Sequence, residues 1–188
     1  MSATEHVVLV DENDNEIGIA EKIQAHRENL RHRAFSVFIF RQTPHLELLL
    51  QQRAEHKYHS PGLWTNTCCS HPRPNEDILT AGRRRLQEEM GLQASLESLG
   101  WFHYIAHFPN GLIENEIDYV LVGTTNETNI TPNPEEVQAY RWISIADLKA
   151  EINANPDNFT PWLALALEIV NSRGLKIASN AIDLRDPG

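Results

Sequence analysis

Two short segments carry the side chains best suited to chemistry. Asn66-Thr67-Cys68-Cys69-Ser70-His71-Pro72 sets a thiol, Cys69, two residues before an imidazole, His71. Glu114-Asn115-Glu116 sets two carboxylates on alternate residues. In an extended chain successive side chains face opposite ways. Cys69 and His71 then share one face, and so do Glu114 and Glu116. A thiol, a ring nitrogen and two carboxylates brought to one cavity serve a metal site, proton transfer, or both. Each residue alone has a plainer explanation. The cysteines suit small buried apolar positions, His71 a turn before Pro72, and the two glutamates the solvent face of an edge strand.

The elements that must position these groups follow from pattern. Strands are expected at Val7–Val10 and Ile17–Ala20, with a polar turn at 11–16. A short helix within 22–30 would carry His26. Ala34–Phe40 reads as a buried strand, turned by Thr43-Pro44-His45 into a hairpin partner at Leu46–Gln52. A polar loop at 54–63 precedes an extended Trp64–Cys69. Asn75 is the expected N-cap of a helix with acids in its first turn, ended by Gly91. Strands at about 96–107 and 112–123 are joined through Pro109-Asn110-Gly111. A short strand at Tyr140–Ile143 leads to a helix capped by Ser144, and Thr160-Pro161 opens a last helix. Residues 174–188 read as a tail. No repeat or linker divides the chain, so 1–188 is expected to be one α/β (α+β) domain, mixed β-sheet flanked by helices.

Composition narrows the classes. With 188 residues, 41% of them hydrophobic and 22% charged, the chain is ordinary globular material. No apolar run approaches the ~20 residues of a membrane helix, and the first residues lack the pattern of a secretory signal. A cytoplasmic location is expected. A net charge of −10 argues against a general nucleic-acid role, but local basic groups leave a small anionic partner open. The only two cysteines, Cys68 and Cys69, are adjacent and would close almost no loop, so they are read as reduced thiols rather than a scaffold.

The segment 70–92 resembles a Nudix box. Glu76, Arg84, Leu86, Glu88, Glu89, Gly91 and Leu92 match its spacing. Ser70 stands in place of its glycine and Arg85 in place of a helix glutamate. Exchanging a carboxylate for Arg85 replaces a metal ligand by a phosphate-binding cation. The Nudix-like fold is therefore retained as an expectation while hydrolase chemistry is weakened.

The thiol segment before that helix, Glu114-Asn115-Glu116, the upstream His26 and His32, and Phe159-Thr160-Pro161-Trp162 together resemble the type I isopentenyl diphosphate isomerases over roughly residues 4–170. The resemblance implies interconversion of isopentenyl and dimethylallyl diphosphates with divalent metals. It implies Cys69 and Glu116 as catalytic groups, Tyr104 beside the acid, and Trp162 as an aromatic wall. A buried metal would be held by His26, His32, His71, Glu114 and Glu116. Mg²⁺ with the substrate diphosphate would lie at Glu89. Diphosphate contacts would come from Lys22, Arg53, Lys57, Ser70 and Arg85. For the buried site Zn²⁺, Mn²⁺ and Mg²⁺ all remain open, three nitrogens favouring a transition ion. No flavin is expected, since no Gly-x-Gly-x-x-Gly fingerprint is present. His6, His45, His56, His59, His103 and His107 receive no role. The competing classes are a Nudix hydrolase and a metal-stabilised binding module.

Bottom-up chemistry agrees with the isomerase reading. Moving an isolated C=C bond needs a proton added to one carbon and another removed two atoms away, through a tertiary carbocation. That calls for an acid, a base across the plane, an aromatic face and exclusion of water.

Overall fold

The structure is a computed structural model describing residues 5–42 and 45–173, with the backbone of 175–177 and 180–182. Thr43 and Pro44 of the expected turn lie outside the described residues, as do residues 1–4. Of the expected tail, 174, 178, 179 and 183–188 also lie outside them.

In chain order the elements are β1 (His6–Val10), β2 (Glu16–Glu21), α1 (Lys22–Arg27), β3 (His32–Arg41), β4 (Glu47–Arg53), β5 (Trp64–Thr65), β6 (Cys68–Ser70), α2 (Ile78–Met90), β7 (Glu97–His107), β8 (Ile113–Thr124), β9 (Val137–Ser144), α3 (Ile145–Ala154), a single 3-10 turn (Pro156–Asn158) and α4 (Pro161–Arg173). Beyond them β10 (Leu175–Ile177) and β11 (Asn180–Ile182) pair antiparallel, where the sequence suggested only a tail.

The organising strand is β3. It runs parallel to β8 with His32 beside Glu116 and Ala34 beside Asp118, and antiparallel to β6 with Ser36 beside Cys69. Neighbours in register point to the same side of a sheet. His32, Ala34, Ser36, Cys69, Glu116, Asp118 and Tyr104, the partner of Glu116 on β7, therefore share one face. Further along β3 the same face turns apolar. Phe38 and Phe40 are fully buried with Leu48, Leu50, Val120 and Val122 against Leu163, Ala166, Leu167 and Val170 of α4. The opposite face carries Phe35, Val37 and Ile39, packed against Ala81, Leu86 and Met90 of α2. One strand thus alternates between two cores and donates the polar end of one face to a site.

The sheet splits between β3 and β4. These strands pair only at Phe40–Leu48 and Arg41–Glu47, after which β4 follows β9 and β5. Thr67 closes the split from below, its hydroxyl accepting from Ile39 N at 2.9 Å and donating to the Leu49 carbonyl at 2.7 Å. The expected extended run over 64–69 is accordingly two short strands, broken at Asn66 and Thr67.

The start of α2 differs from expectation. Asp77, not Asn75, caps it, accepting from Leu79 N at 3.1 Å and Thr80 N at 3.0 Å, and its first turn has no acid. Asn75 instead sits in the left-handed region at φ 66° and turns the loop ahead of the cap. Gly91 ends α2 at φ 66°, as expected.

Candidate active site

The site is built from the polar end of the β3 face, closed by a loop and by the first turn of α4. His26 comes from α1 and His32 from the start of β3. Asn29, at φ 56°, reverses the chain between them and brings the rings to 4.8 Å between centroids. Asn115 holds that turn in place, its Nδ2 donating to both Asn29 O and Asn29 Oδ1 at 3.1 Å. The residue between the two glutamates therefore serves the histidines.

The imidazoles are oriented from behind. His26 Nδ1 lies 2.6 Å from the Lys22 carbonyl and His32 Nδ1 2.8 Å from the Leu30 carbonyl. A carbonyl only accepts, so each Nδ1 carries the proton and each Nε2 presents a lone pair inward. Both Nε2 atoms are buried without a hydrogen bond. His32 Nε2 stands 3.3 Å from Glu116 Oε1, and His71 Nε2 2.9 Å from the same oxygen. One ligand atom from each of His26, His32, His71 and Glu116 lies within 4.8 Å of the others. Three ring nitrogens and one carboxylate oxygen, two of the nitrogens otherwise unsatisfied, fit a divalent cation.

Glu114 occupies an overlapping group with His26 and His59. Its Oε1 is 3.1 Å from His59 Nε2. His59 was given no role from the sequence. It sits in the loop after β4, buried at 6% exposure, next to Ser60 at φ 48°. The only sequence sign for it was its place ahead of Pro61-Gly62, where a tight turn drives a side chain inward.

Charge follows from burial. Burial, then Arg53, holds the His59 imidazole down to about 2. Burial likewise holds His71 at about 3 and lowers His26. Burial alone would raise Glu116, but its contacts to His32 and His71 outweigh that and keep it well below the usual range. Glu114 is pushed well up by burial and then by the Glu116 charge. Tyr104 hydroxyl lies 2.7 Å from Glu116 Oε2 and 2.8 Å from Glu114 Oε2. It has one proton for two carboxylates, so the second oxygen must be met by a protonated Glu114 or by a cation.

Cys69 faces this group across one cavity, which both Cys69 and Glu116 line together with Tyr104, Asp118 and Trp162. Its thiol donates to Asn66 Oδ1 at 3.0 Å and receives the Trp162 indole N–H at 3.1 Å. Burial, then the Asp118 carboxylate, pushes the thiol up to about 12, so sulfur is protonated at neutral pH. Asp118 Oδ2 accepts from Ser36 Oγ at 2.8 Å, and Ser36 Oγ stands 3.7 Å from the sulfur. Trp162 thus turns the edge of its indole to Cys69, while the Arg53 guanidinium lies 5.7 Å from its ring centroid.

The expected diphosphate contacts, four cations and one hydroxyl, reach this cavity too. Lys22, Arg53, Lys57, Ser70 and Arg85 all line the same cavity. Glu136 pairs with both Lys57 and Arg85. Glu89 stands apart from the histidine group. It belongs to α2 on the opposite face of the sheet, and its two oxygens take Arg85 Nη2 at 2.5 Å and Gln51 Nε2 at 2.9 Å.

Among the described residues no helix is long and apolar enough to cross a membrane. The NUDIX domain model matches residues 30–163. The chain is 51% identical over 164 residues to the isopentenyl-diphosphate Delta-isomerase of Aliivibrio fischeri, covering 85% of this chain and 91% of that one. It is 50% identical over 173 residues to the enzyme of the same name from Photobacterium profundum, covering 90% and 96%. Among solved structures it resembles a Deinococcus radiodurans protein with a TM-score of 0.71 at 20% identity, covering 88% of this chain and 99% of the other. A MutT NUDIX hydrolase from Burkholderia pseudomallei gives a TM-score of 0.59 at 20% identity over 74% of this chain and 98% of that one, a likeness of fold alone. The chain belongs to the NUDIX family and, within it, to the isopentenyl-diphosphate Delta-isomerases.

Proposed function

We propose that this chain interconverts isopentenyl and dimethylallyl diphosphates by protonation and deprotonation of the C=C bond, with Cys69 and Glu116 on opposite faces of the substrate. The observation that carries the mechanism is the shared cavity. A protonated sulfur and an ionised carboxylate line one space that Lys22, Arg53, Lys57 and Arg85 also line.

In one direction the Cys69 S–H bond breaks and its proton adds to the terminal alkene carbon, leaving a tertiary cation. Glu116 then takes the proton two atoms away, and that C–H pair becomes the new double bond. The reverse direction exchanges the two roles, Glu116 acting as the acid. Tyr104 holds Glu116 and links it to Glu114. Trp162 is the aromatic wall beside the cation, a contact of ~2 kcal/mol or more when dry. The diphosphate is pinned by the cations and Ser70, which supplies orientation away from the reacting carbons.

His26, His32, His71, Glu116 and Glu114 would hold a divalent ion, Zn²⁺, Mn²⁺ or Mg²⁺, and Glu89 a Mg²⁺ with the diphosphate. When bound, the buried ion would offset the carboxylate charges and tune the acidity of Glu116. No flavin enters this scheme. The partner is a small diphosphate rather than nucleic acid or membrane, and reduced thiols accord with the cytoplasm. The whole chain acts as one domain.

An isomerisation assay with and without chelator tests this reading. Turnover of isopentenyl diphosphate that chelator abolishes and a divalent ion restores is expected. Phosphate release from nucleotide substrates, with none of the isomerisation, contradicts it in favour of a hydrolase. Bound metal with no turnover on either substrate contradicts it in favour of a binding module.

A further inference from the structure

We infer that Asn66 is a positioning residue that locks the thiol of Cys69 to the indole of Trp162, an inference that rests on the isomerase reading. Asn66 is fully buried in the break between β5 and β6. Its Nδ2 donates to the Val37 carbonyl at 3.0 Å and the Cys68 carbonyl at 2.9 Å. Those two acceptors settle which way the amide is turned, because Oδ1 in that place would face two carbonyls. Oδ1 is thereby aimed at Cys69. It accepts from Cys69 Sγ at 3.0 Å, from Trp162 Nε1 at 3.2 Å and from Thr65 Oγ1 at 3.0 Å.

The indole N–H is shared between this oxygen and the sulfur, 3.1 Å away. Amide oxygen, sulfur and indole nitrogen form a closed triangle. It ties β6 to α4 across 93 residues of chain. Asn66 does not line the cavity, whereas Cys69 and Trp162 do. It therefore acts through them. The triangle sets the direction of the sulfur's proton and keeps an N–H donor on the sulfur once that proton has gone to carbon. The side-chain hydrogen bonds of Asn66 go to Val37, Cys68, Cys69, Thr65 and Trp162, and to none of Lys22, Arg53, Lys57 or Arg85. Loss of Asn66 Oδ1 should then fall on turnover and spare binding.

A merely structural role would reside in Nδ2, which stitches the split sheet. The two halves of the amide separate the readings. Asn66→Ala removes both; Asn66→Asp keeps an acceptor oxygen and loses the donors. Positioning predicts that Asn66→Ala lowers kcat about 100-fold with KM changed less than about threefold. It also predicts that Asn66→Asp recovers part of kcat without recovering thermal stability. Recovery of kcat only in step with stability, or a rise in KM with kcat kept, overturns the inference.

A measurement on the unmodified chain covers the case in which Asn66→Ala does not fold. The S–H stretching band lost in Cys69→Ala by infrared difference is expected at the hydrogen-bonded, low-frequency end. A band at the position of an unbonded thiol overturns the inference. Absence of isopentenyl diphosphate turnover by the unmodified chain instead overturns the isomerase reading, so the two failures are told apart.

Discussion

Tyr104 and Glu116 face each other across the β7–β8 pair, phenol oxygen to Oε2 at 2.7 Å, with Glu114 taking the same hydroxyl at 2.8 Å. The phenol cannot donate to both. Removing it leaves two buried carboxylates whose repulsion is no longer mediated. Tyr104→Phe is expected to lower kcat by about 100-fold, the low end of a positioned proton-transfer group. Steady-state kinetics check this, and an unchanged kcat would remove Tyr104 from the mechanism.

Cys69 should be slow toward alkylation. Its thiol is pushed up to about 12, so thiolate grows tenfold for each pH unit below that value. At pH 8 the thiolate fraction is about 10⁻⁴, against roughly a quarter for a free cysteine. Iodoacetamide labelling read by peptide mass spectrometry should rise steadily between pH 8 and 10 without levelling off. A plateau near pH 8 would show an ordinary thiol.

Metal affinity should divide the ligands. His32 points an unsatisfied Nε2 inward from a ring held by the Leu30 carbonyl. His32→Ala is expected to weaken divalent-ion binding at least 100-fold, and His59→Ala, which touches only Glu114 in the second group, by about tenfold. Equilibrium dialysis of the variants gives the order. Equal losses would instead place His59 among the ligands of that ion.

Arg85 and Lys57 meet through Glu136. Arg85→Ala is expected to raise KM for the diphosphate about tenfold or more while kcat changes less, because the role proposed for this cation is to hold the diphosphate rather than the reacting carbons. An equal fall in kcat with KM unchanged would contradict its place at the diphosphate end.

Much of this arrangement was legible before coordinates. The alternation that set Cys69 with His71 and Glu114 with Glu116 holds in that all four line one cavity; Glu114 and Glu116 lie on β8 opposite β7, and β6 ends beside β3 just before His71. The two cores follow from the apolar run of β3 and the stripe of α2. Three features were not legible. His59 comes from a loop without periodicity, so no pattern flagged it. Asn66 and Thr67 interrupt a strand because the sheet splits there, a tertiary event that pairing preferences do not encode. The N-cap moved to Asp77 because Asn75 took a left-handed turn, and either residue type caps well. Glu89, which matched by position, is joined on α2 to Arg85 of the cavity wall and to Gln51.

The central claim is that sulfur and carboxylate exchange protons with one substrate from two sides. Isomerisation in deuterated water, followed by NMR of recovered substrate and product, tests it most directly. The account predicts solvent deuterium in the product methyl group with the unmodified chain, and a loss of at least 1000-fold in that incorporation for both Cys69→Ala and Glu116→Gln, with the diphosphate still bound. Deuterium entering at the unmodified rate in either variant would contradict it.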